Sequence, residues 1–252
     1  MTQVLRSGHR KLIDAVEQTL SKTEYRIAST ASLQNDVARL RYDAYLREGA
    51  VTPSRSKILV DRFDQQPNST TFAIFISGSL AASIRIHVPT LGRYSSPALD
   101  AFPELVGLVF NPDVPRILID PNRFVIEASA SHAYSALPFI VLRLPFLASE
   151  YLGAHYATAT VRREHQAFYS RTLNYRPLVA PRPYPTLIKD LGLMLVNYQA
   201  EKSAVLDRYP FLAARPGEAE DCFRPLKNWL REKDADANIL RPVKSPAEPI
   251  SV

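Results

Sequence analysis

Residues 118–129, LIDPNRFVIEAS, have the apolar, partly β-branched make-up of a buried strand, yet they carry Asp120, Arg123 and Glu127. A second apolar run, AASIRIHV at 81–88, encloses Arg85. An unpaired charge inside a protein is expensive. A fold built on these strands must therefore supply partner carboxylates, an aqueous edge or a polar cleft. Side chains alternate along a strand, which predicts Arg123, Val125 and Glu127 on one face and Phe124, Ile126 and Ala128 on the other. At ~3.3 Å per residue, Arg123 and Glu127 would stand ~13 Å apart, suited to the two ends of a small zwitterion. A half-exposed strand with one charged face explains the same pattern, and an edge strand explains Arg85.

The rest of the chain supplies the elements around these strands. Residues 10–22 place Leu12, Ile13, Val16 and Leu20 on one helical face. A short strand is expected at 25–28, and a second helix, capped by Ser32, through Leu33, Val37, Leu40, Tyr42 and Tyr45. Residues 70–89 read as two strands about the turn Ser77-Gly78-Ser79. The stretch 90–115 is loop-rich, with Pro97, Pro103, Pro112 and Pro115. Residues 132–153 read as an apolar helix interrupted by Pro138 and Pro145, followed by a strand at 155–161 and a short helix at 163–173. YRPLVAP and residues 191–198 are strand-like, and a helical piece follows position 200. This order predicts an α+β fold divided into an N-terminal helix (1–22), a main domain (23–200), a helical extension (201–232) and a disordered tail (233–252). Nothing resembles G-x-G-x-x-G or a P-loop, and eight glycines in all speak against phosphate cradling.

Charge and composition narrow the partners. The net charge is +6 and the pI about 9.4, which favours an acidic protein, an anionic membrane surface or nucleic acid. No lysine-rich or aromatic-interleaved basic block supports nucleic acid, so none is expected, while peripheral membrane contact stays open. A single cysteine, Cys222, excludes an internal disulfide and a cysteine zinc site, and no histidine pair has the helical metal spacing. No metal is expected. No apolar run reaches the ~18–20 residues of a membrane span, and the N-terminus lacks a signal-peptide core. A soluble, cytoplasmic protein is the expectation.

Three further segments carry chemistry-bearing residues: ARLRYDAYLRE (38–48), LVDRFDQQ (59–66) and VRREHQAFYSRTLNYRP (161–177). Each alone reads blandly, as a solvated helix, a capped turn and a core helix. Their order is more specific. Arg-Leu-Arg-Tyr-Asp-Ala-Tyr, then Asp61-Arg-Phe-Asp64, then Arg85, then Asp120-x-x-Arg123-Phe resembles the acyl-homoserine-lactone autoinducer synthases. Asp120 stands where that family has Glu, and the family's N-terminal tryptophan is missing, Trp229 being the only one. The later segment resembles the F-Y-x-x-x-L-G-F-x-P ending of the GNAT acyltransferases, with Asn174-Tyr175 in place of Gly-Phe. The combination, over about 25–198, is similar to the N-acyl amino acid synthases of the FeeM type.

That resemblance implies a GNAT-like fold, with a central mixed, mostly antiparallel sheet flanked by helices. It implies attack of an amino acid or other small amine on a fatty acyl thioester. Residues 128–133 contain no glycine where coenzyme A users carry a pyrophosphate loop. The implied donor is therefore the acyl-phosphopantetheine of an acidic acyl carrier protein, with acyl-CoA as the alternative and no tightly bound cofactor. Glu127 would be the base, Tyr169 the proton donor to sulfur, and His165 a further catalytic candidate. Arg85 or Arg123 would bind the acceptor's carboxylate, Asp61 and Asp64 would orient the arginines or meet the amine, and Arg41 and Asp120 would complete the charged framework. The backbone around Phe124, Val125 and Ile126 would bind the thioester oxygen. Leu137, Phe139, Ile140 and Leu142 would line an acyl tunnel or, residue by residue, belong to the core. An autoinducer synthase, another GNAT lipid acyltransferase and a non-catalytic acyl- or carrier-binding module are the competing readings.

Overall fold

The computed structural model describes residues 2–89, 95–110, 116–184 and 186–235. Helix α1 (Thr2–Leu20) leads through β1 (Thr23–Ile27) to α2 (Ala31–Arg47). The hairpin β2 (Ser69–Ile76) and β3 (Ser79–His87) turns at Ser77-Gly78, both at positive φ. Two short helices, α3 (Pro97–Ala101) and α4 (Glu104–Val109), occupy part of the stretch expected to be loop; Pro112 and Pro115 lie outside the described residues. Then come β4 (Leu118–Ile126), α5 (Ala128–Ala133), α6 (Leu137–Leu152), β5 (Tyr156–Val161), α7 (Arg163–Leu173), β6 (Arg176–Pro183), β7 (Asp190–Asn197), α8 (Tyr198–Arg208) and α9 (Glu218–Ala235).

The seven strands form one sheet in the order β1-β2-β3-β4-β5-β7-β6. Every pairing is antiparallel except β4–β5. Period-two patterning builds the layers: Phe72, Ile74, Ile84 and Ile86 enter the large core under α6, α8 and α9. On the opposite face Ala73 meets Val37 of α2, and Leu118 and Leu193 pack on α3 and α4.

Three local expectations are corrected. The α2 cap is Thr30, whose hydroxyl accepts the Leu33 N–H at 3.3 Å, rather than Ser32. The single helix at 132–153 is two helices. Pro138 sits in the first turn of α6, where its missing N–H leaves no bond broken. Pro145, inside α6, does not end it, because the helix buries Leu137, Ile140, Val141, Leu144, Ala148 and Leu152 along one flank. The opening strand ends at Ile126 rather than Ser129, and the first residues of the expected tail, 233–235, finish α9. Residues 236–252 lie outside the described residues.

Candidate active site

Strand β4 changes phase in its middle. Arg85 pairs with Asn122 and Ser83 with Val125, so Ile84 faces both Arg123 and Phe124, a β-bulge. Arg123 adopts φ 53°, an unfavourable region for a side chain of its size. The faces expected from Arg123 onward, Arg123 with Val125 and Phe124 with Ile126, are those observed; the bulge adds Asn122 to the Arg123 face. Asn122 and Arg123 now turn to the α2 side together, with Asp120 below and Val125 above, while Phe124 packs toward the large core. Glu127 leaves the strand altogether.

The α2 face holds a buried cluster of three guanidiniums and two carboxylates. Arg85, fully buried, donates to both Asp61 oxygens at 2.7 and 3.0 Å, to Asp64 at 2.6 Å and to Asn122 Oδ1 at 2.7 Å. Arg41, from α2, donates to Asp64 at 2.6 Å. Arg123 binds Asp61 Oδ2 through Nε at 3.0 Å and Nη2 at 2.5 Å, and Nη2 lies 3.3 Å from Thr186 Oγ1. These contacts use Nε and Nη2; Nη1 takes no part in them. The D-x-x-D spacing is explained locally: Asp64 accepts the Asp61 N–H at 2.8 Å and Asp61 accepts that of Phe63 at 2.9 Å, folding both carboxylates inward. Burial alone would raise both carboxyls, but the neighbouring guanidiniums outweigh it and hold them below the usual carboxylate range. Counted over the directly paired groups, the cluster keeps one positive charge in excess.

Above this cluster the sheet opens. Strands β4 and β5 pair only at Leu118–Tyr156 and Ile119–Ala157, and then diverge. A cavity of about 1120 Å³ passes through the gap. On the α2 side it is lined by Tyr45, Asp61, Phe63, Arg123, Tyr184 and Thr186; on the other, by Leu142, Phe146, Phe168, Leu173, Val196 and Val205. The Glu127 N–H donates to Ala81 O on β3 at 2.8 Å, so the backbone of Ile126 faces the gap; its carbonyl accepts Arg47 Nη2 at 3.0 Å.

Of the residues expected at the site, Asp61, Arg123, Phe124, Val125, Ile126, His165 and Tyr169 line this cavity. Arg41, Asp64 and Arg85 stand behind it as support. Asp120 serves elsewhere: fully buried, it accepts the Ala98 N–H at 3.0 Å and the Thr158 hydroxyl at 2.8 Å, tying α3 to the β4–β5 junction. Burial pushes its carboxyl up, against those donors. Glu127 is the N-cap of α5, accepting Ala130 N–H at 2.8 Å and Ser129 Oγ at 2.5 Å. The Ser129 hydroxyl and that N–H hold its carboxyl below the usual range, and it is absent from the cavity lining. Its place at the start of α5 sets it apart from the cavity.

His165 stands at the cavity's rim, its Nε2 2.9 Å from Arg162 Nη2, which also pairs with Glu48 at 2.8 Å. Tyr169 is partly buried among Phe168 and Tyr175, and burial pushes its phenol up. The Asn174-Tyr175 departure has a structural account: Asn174 takes the left-handed C-cap of α7 at φ 58°, which asparagine tolerates best after glycine. Of the acyl-tunnel candidates, Leu142 lines the cavity, whereas Leu137, Phe139 and Ile140 belong to the core. The sequence reading missed Asn122, Thr158, Thr186 and Arg162. A pair of adjacent polar residues, Asn122-Arg123, in an alternating strand is the signal that marks the bulge; Thr186 and Arg162 carry no comparable local mark.

The profile of the family described as N-acyl amino acid synthase FeeM matches residues 36–197. Among solved structures, the chain is similar to FeeM, an N-acyl amino acid synthase from uncultured soil microbes, with 17% identity and a TM-score of 0.58 over 74% of this chain and 96% of that one. It is similar to the AHL synthase LasI, with 15% identity and a TM-score of 0.53 over 72% of this chain and 95% of that one. It is also similar to BjaI, a CoA-dependent acyl-homoserine lactone synthase, with 16% identity and a TM-score of 0.53 over 75% and 89%. At these identities the likeness is one of fold. No curated protein sequence matches the chain significantly.

Proposed function

The chain belongs to the FeeM family of N-acyl amino acid synthases and is an acyltransferase of GNAT-like fold; on that premise we propose that it moves a fatty acyl group from acyl carrier protein to the amine of an amino acid. The cavity between β4 and β5 carries this reading, because it joins an excess of buried positive charge to an apolar bore. The acceptor's carboxylate pairs with Arg123, whose Nη1 is not engaged with Asp61. The thioester oxygen lies at the Ile126 N–H on the open edge of β4, a backbone donor already held in place. The acyl chain passes to the apolar side.

The amine nitrogen attacks the thioester carbon, the C–S bond breaks, and an amide and a free thiol result. The amine must lose a proton and the thiolate must gain one. His165 and Glu48, both in the cavity lining and both in contact with Arg162, are the candidates for the base. Tyr169, whose burial keeps the phenol protonated, supplies the proton to sulfur. Arg47, Arg62, Arg162 and Lys189 rim the cavity, a basic mouth that favours an acidic carrier protein.

Purified protein given acyl-carrier protein or acyl-CoA with a pool of amino acids provides the test, with free thiol and product mass as readouts. The expected result is acceptor-dependent thiol release, faster from the carrier protein, and an N-acyl amino acid. Arg123→Ala should lose at least ~10-fold in turnover, a charged contact being worth about 1.5–3 kcal/mol. Carrier binding without thiol release would identify a non-catalytic module, and a lactone product an autoinducer synthase.

A further inference from the structure

Strand β5 and the start of α8 both contribute to the apolar half of the cavity. Strand β5 reads YATATV, and its alternation divides the cavity: Ala157 and Ala159 face the large core, while Thr158 turns to Asp120 on the other side. Two alanines in succession on one face leave room for a chain where larger side chains would fill it. From Val161 down to Tyr156 the strand has six residues and five steps, ~16 Å at ~3.3 Å per step.

At that depth β7 ends opposite Tyr156, where Asn197 caps α8 and Tyr198 begins it. Tyr198 is buried at the cavity's end. Its ring meets Phe146 edge-on at 5.0 Å, and its hydroxyl donates to Glu150 Oε2 at 2.8 Å. Lys202, one turn along α8, bonds the same carboxylate at 3.1 Å. The next turn of α8 adds Glu201 and Lys202 to the lining, so a chain that passed Tyr198 on that side would meet charge as well as a ring.

We propose that Tyr198, tethered by Glu150, is the stop that sets acyl-chain length. The inference rests on the acyltransfer reading above. Glu150 is a positioning residue, outside the cavity lining, that acts through Tyr198.

The full-length protein is offered an equimolar series of saturated acyl-carrier proteins, decanoyl to eicosanoyl, and products are resolved by mass. Wild type should gain about fourfold in specificity per added methylene up to a sharp cut-off, as expected for apolar burial. Tyr198→Ala should move the cut-off to longer chains, Glu150→Ala, which removes the acceptor of the Tyr198 hydroxyl, should move it less in the same direction, and Ala159→Leu should move it to shorter ones. Should Tyr198→Ala fail to fold, Glu150→Ala stands in its place, since that change lies at the surface. An unchanged length profile in the active Glu150→Ala protein overturns the stop while leaving the acyltransfer reading intact. Absence of transfer from every thioester by wild type overturns that reading itself.

Discussion

Asp61 meets two guanidiniums, Arg85 and Arg123, and with Arg123 it is where the cluster reaches the cavity. Its carboxyl is held below the ordinary value of 3.8, because the two arginines outweigh the opposing effect of burial. A depressed carboxylate contributes stability that is fully present above the unfolded value and is lost as the pH falls through the folded one. Asp61→Asn should therefore destabilise the protein by about 3 kcal/mol at neutral pH, since it leaves buried arginines short of a partner. Urea unfolding across a pH series should show the gap between wild type and variant closing below pH ~4. A gap independent of pH would mean that Asp61 contributes only shape. Tyr169 belongs to the same scale. If its phenol protonates the departing thiolate, Tyr169→Phe should lower kcat by roughly 100-fold, at the low end for general acid catalysis, and leave the acceptor KM unaltered. An unaltered kcat removes Tyr169 from the chemistry.

At the level of elements, the bulge in β4 does for the site what no single residue can. Without it, alternation would put Asn122 and Arg123 on opposite faces; with it, both serve the cluster, and the strand resumes its apolar phase at Phe124 and Ile126. The residue types in the sequence showed that charge had to be accommodated, and period-two counting from Arg123 to Ile126 held, but it gave no sign that Asn122 would join Arg123 on one face. Helix α6 carries a second buried charge, Arg143, which the fold meets with α9. Its guanidinium pairs with Glu218, Nη2 at 2.6 Å from Oε2, and donates to the Phe211 and Ala213 carbonyls at 2.7 and 2.6 Å. Glu218→Ala should destabilise by about 3 kcal/mol, because one partner of a buried pair is left alone. Replacing both residues with apolar ones, Arg143→Met with Glu218→Leu, should recover much of that loss in urea unfolding. Equal destabilisation by the single and double variants would show that the carbonyl contacts, rather than the ion pair, hold α9.

Across the whole molecule, most elements were legible because hydrophobic periodicity is local: the β2–β3 hairpin, the apolar stretch of α6 and the amphipathic α1 and α7 were all visible in the chain. The family order of Arg41, the Asp61–Asp64 pair, Arg85 and Arg123 was visible as well. Three things were not. Asp120 read as part of the site because it precedes Arg123 by three, yet its partners, Ala98 and Thr158, come from other parts of the chain. Glu127 read as a base because it ends an apolar strand, whereas the start of α5 makes it a cap. The cavity itself has no sequence signature, since it exists where β4 and β5 stop pairing after Ile119 and Ala157. The sequence by itself determined that charge would sit within apolar strands and that a pair of acids, Asp61 and Asp64, was available to the arginines, because turn chemistry and patterning are written in neighbouring residues. Only the tertiary structure decided which of those charges face a substrate, because the gap between two strands 38 residues apart is a property of how they diverge in space.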